Sequence, residues 1–255
     1  MRRLIPGLLV VGLISTTPRD AAAQTGPSIN DTYAYAALTG TPIGALSPIF
    51  VTTGTKGEKS FDTFAGRFSH YSPKAVPGVS QPGDNSLAAS FYHKLGLNAV
   101  VSGTAGYTVV GCPAGATCNN AFMLGGDVHS ALWNSPEKKG ENTAMSVNLQ
   151  GSVGYGHSKD VNALSLAVGA PLAITMEQAD HARIAAFITP GFGFGSLSAK
   201  SGTTTTSKSG MLPLVGVGAA WMAAEGWGIH ASYNKVFVKD ISGNNFGLGF
   251  TYNMK

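Results

Sequence analysis

The chain has 255 residues, of which 12% are charged and 34 are glycine. Ordinary globular chains carry about twice that share of charged residues, so a soluble domain with a charged outer surface is disfavoured. The net charge is +4, and no basic run is interleaved with aromatic residues. This pattern argues against nucleic acid as a partner.

The first 23 residues are typical of a secretory signal peptide. Two arginines precede a short apolar run from Leu4 to Ile14, and three alanines offer small residues for cleavage before Gln24. The apolar run is too short to cross a bilayer as a helix. Cleavage would remove three arginines and one aspartate, which lowers the net charge from +4 to +2.

Residues 24–60 follow no clear strand pattern, and three interpretations stay open for them: an N-terminal lead-in, a plug, or an extra strand near 46–53. Beyond them, period-two alternation bounded by turn residues predicts ten β-strands, with eight or twelve as alternatives. In chain order the predicted strands lie near 61–72, 86–95, 97–109, 121–133, 143–156, 163–176, 183–197, 209–222, 227–238 and 244–254.

The segment 144–156, AMSVNLQGSVGYG, shows the alternation most plainly. Met145, Val147 and Leu149 share one face with further apolar residues, whereas the other face carries Asn148, Gln150, serine and glycine. Successive side chains of a strand point to opposite sides of the sheet. The segment therefore predicts a strand with one apolar face and one polar face.

Four places break the pattern or lie between strands. Pro171 and Pro190 fall inside predicted strands, where a missing N–H predicts a bulge or a strand end. Near Tyr233 the alternation loses its phase, as it does at a bulge. The stretch 197–210, LSAKSGTTTTSKSG, is interpreted as a flexible polar loop open to surface partners.

A chain of two-faced strands fits a β-sandwich, a soluble barrel with an apolar interior, or a membrane barrel with an apolar exterior. The first two need a water-soluble outer surface, which the weakly charged strands hardly provide. In hydrocarbon every backbone polar group must be paired within the protein, so only helices and closed barrels span it. Since no apolar run beyond the signal is long enough for a membrane helix, an all-β, closed antiparallel up-and-down transmembrane barrel is predicted.

The signal peptide ending in AAAQ, the alternating strands and the closing segment FGLGFTY resemble the bacterial outer-membrane β-barrel superfamily, over about residues 60–255 plus the signal. The resemblance implies location in the outer membrane of a Gram-negative bacterium, with both chain ends periplasmic. It also implies contact with outer-membrane lipid and with the barrel-assembly machinery during insertion. The final aromatic residue, Tyr252, is followed by three more residues, which departs from the usual ending of such families.

Cys112 and Cys118 lie in the loop GCPAGATCNN between two predicted strands. The compartment beyond a secretion signal is oxidising, so a structural disulfide is the favoured interpretation. Two free thiols come second and a metal site third, because no histidine stands nearby.

The polar face of the strands supplies the candidate functional residues. Asp127 and His129, two apart in GGDVHSALW, share a face that would line the lumen. Such charges either pair to fill a small barrel or form a track for a small solute. The full set of lumen-lining candidates is Arg67, Asp127, His129, Asn148, Gln150, Arg183, His230 and Asn234.

No catalytic, cofactor-binding or metal-binding motif is found, and no cofactor is expected. His157 and Asp160 form the one loop pair that suits a surface hydrolase, and chance proximity is the simpler explanation. The leading hypothesis is a barrel with a structural or surface-interaction role and a plugged lumen. The alternative is a narrow channel or transporter for small solutes, and the third hypothesis is an outer-membrane hydrolase.

Overall fold

The computed structural model describes residues 62–73, 83–95, 99–111, 119–135, 142–159, 161–201, 203–237 and 243–254, and every regular element within them is a β-strand. The predicted signal peptide and residues 24–60 lie outside the described residues. The strands are β1 (Asp62–Pro73), β2 (Asp84–Leu95), β3 (Ala99–Val109), β4 (Ala121–Asn134), β5 (Thr143–Ser158), β6 (Val161–Gly169), β7 (Leu172–Glu177), β8 (Arg183–Ser201), β9 (Thr204–Met222), β10 (Trp227–Val236) and β11 (Gly243–Met254).

The strands form one antiparallel sheet that closes on itself. Apart from β6 and β7, the strands follow one another around the ring in sequence order, and the ring is sealed where β1 pairs with β11, from Asp62 opposite Met254 to Pro73 opposite Gly243. Strands β6 and β7 follow one another along a single position, because both pair with β5 and with β8. The barrel therefore has ten positions, which confirms the predicted fold and strand count over eight or twelve.

The two ends of the barrel differ in the parts of the chain that they contain. The terminal rim contains Asp62 and Met254, the first and last described residues of the barrel wall. The loop rim is the opposite end, where β1 leads to β2 and β10 leads to β11.

The break between β6 and β7 is caused by Pro171. Its missing N–H interrupts the ladder, yet the register against β5 continues unchanged from Gln150 opposite Gly169 to Val147 opposite Leu172. The expected strand end at Pro171 is thus observed, without an inserted residue. At Pro190 the expectation was wrong, because β8 continues through it in register with Val215 and its carbonyl accepts the N–H of Ala170 at 2.9 Å.

The bulge expected near Tyr233 was also wrong, since β10 pairs with both neighbours without a register shift. The alternation only seemed broken because Lys235 occupies the outward face, where its ammonium lies 5.5 Å from the centre of the Phe237 ring. A bulge does occur in β4, between Ala131 and Trp133. It places Leu132 and Trp133 on the exposed surface together.

The stretch interpreted as a flexible loop at 197–210 is mostly strand. β8 extends to Ser201 and β9 begins at Thr204, with Ser201 directly opposite Thr204. Strand β10 pairs with β9 only from Leu214 onward, so residues 204–213 form part of a β8–β9 ribbon that projects beyond the ladder with β10. The loop prediction failed because threonine favours extended backbone, while strand outside the hydrocarbon needs no apolar face.

The outer wall of the barrel is apolar and the inner wall is polar or small. Leu149, Val168 and Leu248 are each more than 40% exposed, whereas Asn148 and Gln150 are buried in the lumen. The same alternation holds along most described strands. The faces are thus arranged as in a membrane barrel, with apolar side chains outside.

Tyrosines on the outer wall mark the loop rim. The hydroxyl of Tyr155 donates to Asn162 and that of Tyr233 donates to Asn244, whereas Tyr107 accepts from Asn120, at 2.7 to 2.8 Å. Each pair joins the two strands of one hairpin. Amphipathic rings of this kind concentrate where hydrocarbon meets the polar interface.

No helix in the described part of the chain is long and apolar enough to span a membrane.

Charge placed on the outer wall should destabilise the barrel according to depth. Leu248 lies midway along β11 and Met254 lies at its end, on the same face. We expect Leu248→Arg to lower the free energy of unfolding by about 2–4 kcal/mol and Met254→Arg by about 0–1 kcal/mol. Urea titration in lipid vesicles measures both, and equal losses would contradict the assignment of this wall to lipid.

Candidate functional site

A polar cluster crosses the lumen, and its centre is Asp127 on β4. Ser102, its register partner on β3, donates a hydrogen bond to Asp127 Oδ1. The Nε2 of His129, two residues along the same face, contacts Asp127 Oδ2. Each carboxylate oxygen of Asp127 thus has one contact. Both Asp127 and His129 are buried, so these contacts are shielded from water.

Gln150 and Asn148 continue the cluster onto β5. Gln150 lies directly opposite His129 on β4. The side chains of Gln150 and Asn148 are each 1% exposed. The amide nitrogen of Asn148 donates to Ser146 Oγ at 3.1 Å. The polar face of β5 therefore packs against the Asp127–His129 pair inside the barrel.

Arg67 on β1 connects the cluster to His230 on β10, beyond the pairing of β1 with β11. It points inward from β1 and lies within electrostatic reach of Asp127 and Tyr92. His230 on β10 lies within electrostatic reach of Arg67 and is buried. The described polar side chains thus extend from β10 through β1 to β5, with a cation and a carboxylate in the same buried region.

Glycines on the inner wall make room for larger neighbours. Gly249 lies opposite His230 on β11, and an added Cβ there would collide with the imidazole ring. In the same way, Gly218 on β9 accommodates the ring of Phe187 from β8. Phe187 joins Ala173, Ala185, Ala220 and Met222 in a buried apolar cluster, so this part of the lumen is apolar.

Two predicted lumen residues lie away from the central cluster. Arg183 begins β8 at the terminal rim, opposite Glu177, and its NH2 group lies 3.9 Å from the sulfur of Met222. Asn234 lies toward the loop rim on β10, with its side-chain oxygen over Gly216. The structure thus groups Arg67, Asp127, His129, Asn148, Gln150 and His230, and it places the other two at opposite ends.

Sequence reasoning missed Ser102 and Tyr92. Tyr92 shares its face with Ser90 and Lys94 in a regular alternation, so its inward direction was readable from the sequence. Ser102 is found only through the β3–β4 register, which no local pattern reveals. Cys112, Cys118 and Asp160 lie outside the described residues, and His157 faces outward with its Nδ1 2.8 Å from Asn162 Oδ1.

A closed antiparallel barrel with an apolar outer wall and a polar, packed inner wall defines a transmembrane β-barrel protein. The comparison with known families agrees with that class. The model of the outer membrane protein beta-barrel domain matches residues 75–253. The chain belongs to this family and is an outer-membrane protein.

The solved structures that this chain resembles are distant in sequence. Ail, the attachment invasion locus protein of Yersinia pestis, crystallised with the heparin analogue sucrose octasulfate, is 12% identical; the match covers 77% of this chain and all of Ail, with a TM-score of 0.39. The beta domain of the Bordetella autotransporter BrkA is 9% identical with the same coverages and a TM-score of 0.46. Neisserial surface protein A is 8% identical, again with those coverages, and has a TM-score of 0.39. No curated protein matches the chain.

The packing of His230 against Gly249 can be tested by adding one methyl group. We expect Gly249→Ala to lower the free energy of unfolding by about 1–3 kcal/mol, because the new Cβ overlaps the ring. Gly66→Ala is the matched control, since an added Cβ there meets nothing within 4 Å. Restoration of stability by combining Gly249→Ala with His230→Ala would tie the loss to this contact, and an additive loss would exclude it.

Removal of the central carboxylate should be costly. We expect Asp127→Ala to lower the free energy of unfolding by about 3–5 kcal/mol, because Arg67 keeps a buried charge whose partner is gone. Asp62→Ala is the control: Asp62 pairs with His93 at 2.7 Å on the exposed surface, and we expect a loss of about 0–1 kcal/mol. Urea unfolding in vesicles compares the two variants, and similar losses would show that Asp127 carries no buried interaction.

Proposed function

We propose that the protein is a barrel with a closed lumen that serves a structural or surface-interaction role in the outer membrane of a Gram-negative bacterium. The observation that carries this proposal is the way in which the lumen is filled. Large and charged side chains on one wall meet a wall of small side chains on the other.

The ring order places these walls opposite each other. In a ring of ten positions, β1 lies five positions from the β6/β7 position. Arg67 and Tyr71 point inward from β1, whereas Ser165, Ala167 and Gly169 are the inward residues of β6 that face them. Ser165 is 1% exposed although its wall is built of small residues. We infer that side chains reaching across the lumen cover it.

The small wall extends over neighbouring strands. On β5 the inward residues toward the loop rim are Ser152, Gly154, Gly156 and Ser158, all buried, and on β8 Gly191, Gly193 and Gly195 are buried or nearly so. Alternation of large and small residues is the usual way in which small barrels fill their interior. This supports a lumen without a continuous water path at the level of the Arg67–Asp127 cluster.

The surface-interaction part of the proposal is supported by the β8–β9 ribbon. Thr205, Ser207 and Ser209 on this ribbon are exposed, and residues 204–213 lack β10 as a ladder partner. Polar side chains on a paired strand ribbon present a fixed surface at lower entropic cost than a flexible loop. We propose that the loop rim with this ribbon faces the outside of the cell.

The narrow channel remains the second candidate, and one observation favours it. Both ring nitrogens of His230, Thr189 Oγ1 and Ser152 Oγ are buried and make no hydrogen bond within the ranges that the structure describes. Buried polar atoms of this kind are commonly satisfied by water, and a row of waters would provide a path. The hydrolase hypothesis has less support, because His129 is buried in the lumen and His157 contacts an asparagine on the outer wall. The proposal therefore includes no enzymatic activity.

Planar-bilayer conductance separates the closed barrel from the channel. We expect the purified wild-type protein to give no current steps and the double variant Arg67→Ala, Tyr71→Ala to give steps, because both truncations empty the side of the lumen that faces the small wall. Phe68→Ala, on the outer face of the same strand, is the control and should stay silent. Regular steps from the wild-type protein would contradict the closed lumen and favour the channel.

A further inference from the structure

A buried carboxylate with one unused oxygen lies at the loop rim of the lumen. Asp84 is the first residue of β2, points inward and is 1% exposed. Its Oδ1 accepts the backbone N–H of Gly111 at 2.8 Å, whereas its Oδ2 is buried and has no hydrogen-bond partner among the residues that the structure describes. Burial of a carboxylate is strongly unfavourable unless a donor or an opposite charge compensates it.

A second unused oxygen lies in the same row across the sheet. Tyr71 on β1 is directly opposite Asp84 on one side and directly opposite Asn245 on the other. Asn245 is 4% exposed, and its Oδ1 is buried without a hydrogen-bond partner in the described part of the chain. The curved wall turns inward side chains toward one another, so the two acceptor oxygens flank Tyr71 on the same side of the sheet.

Two neighbouring side chains are directed elsewhere. Asn234 follows Asn245 in the row, but its oxygen lies over Gly216 and so points toward β9. His70 acts electrostatically on Asp84, yet its Nδ1 lies 2.9 Å from Asn85 Oδ1 and its ring belongs to the outer face of β1. Neither side chain makes a hydrogen bond to Asp84 Oδ2.

We propose that Asp84 and Asn245 bind a cation at the loop rim of the lumen, beside Tyr71. Both unused atoms are oxygens that can accept, and Asp84 supplies a negative charge when its carboxyl is ionised. Hard divalent cations prefer such carboxylate and amide oxygens, and an ammonium group, which only donates, matches them equally well. The shared chemistry is a compact positive charge held by oxygen ligands.

The site would also connect two hairpins. Asp84 begins β2 after the β1–β2 connection, and Gly111, which donates to its other oxygen, follows β3. A cation on Asp84 Oδ2 would offset the charge of the carboxylate that holds Gly111. The inference does not depend on whether the lumen is closed, and its failure would leave the proposed function unchanged.

Terbium luminescence tests the divalent cation directly. Tb³⁺ occupies oxygen-rich cation sites and is excited through a nearby tyrosine, here Tyr71. We expect the folded full-length protein in detergent to give luminescence that excess Ca²⁺ removes. Asp84→Asn keeps an oxygen for Gly111 but removes the charge, and it should weaken Tb³⁺ binding about tenfold or more, while Asn245→Ala should weaken it roughly threefold to tenfold. Asp62→Asn, an exposed carboxylate at the terminal rim, is the control and should bind as the wild-type protein does.

Spermidine tests the ammonium source of the same charge. If Tb³⁺ does not bind but spermidine raises the unfolding temperature of the wild-type protein and not of Asp84→Asn, the cation is an ammonium. Gel mobility without heating confirms that each variant is folded. The proposal is overturned if folded Asp84→Asn binds Tb³⁺ as tightly as the wild-type protein does, or if neither cation binds or stabilises the wild-type protein.

Discussion

The hydrogen bonds of the backbone determine the architecture of this protein. A strand surrounded by hydrocarbon has no water to pair with its N–H and C=O groups, and each unpaired group costs several kcal/mol. The ladder between β1 and β11 removes the two free edges that an open sheet of these strands would have. Hydrogen bonding continues even at the proline break, because the backbone N–H of Asn148 donates to the carbonyl of Pro171 at 2.9 Å. Local irregularity is accepted where the ladder on either side stays in register.

Closure inverts the usual distribution of side chains and leaves the lumen as the only buried volume. Most large apolar residues face lipid, so the lumen is packed mainly with charged, polar and very small residues, beside an apolar cluster around Phe187. In the described structure large side chains lie over glycines of neighbouring strands: the ring of His230 lies over Gly249, and the ring of Phe187 lies over Gly218. Buried charges are tolerated because Asp127 meets a serine, a histidine and an arginine.

The sequence pattern was sufficient to predict the fold, because apolar and polar or small side chains alternate along the strands of a membrane barrel. Strand positions, the closed ring and the polar direction of Asp127, Asn148 and His230 all follow from period two. The alternation does not determine the register between strands. The pairing of Ser102 with Asp127 and the row formed by Asp84, Tyr71 and Asn245 therefore could not be predicted. The β8–β9 ribbon was misjudged for another reason. Outside the hydrocarbon a strand loses its apolar face, and with it the signal by which it is recognised.

The seam between the first and last strands has a consequence for how the molecule assembles. All other strand pairings join strands that are next to each other or one apart in sequence, whereas the side chains of Thr63 and Asn253, hydrogen-bonded at 2.7 Å, are 190 residues apart. Hairpins can therefore form early at small entropic cost, and the last event must bring together two distant ends. The barrel cannot close before β11 (Gly243–Met254) has been synthesised. A chain that lacks β11 would form a curved open sheet with two unpaired edges.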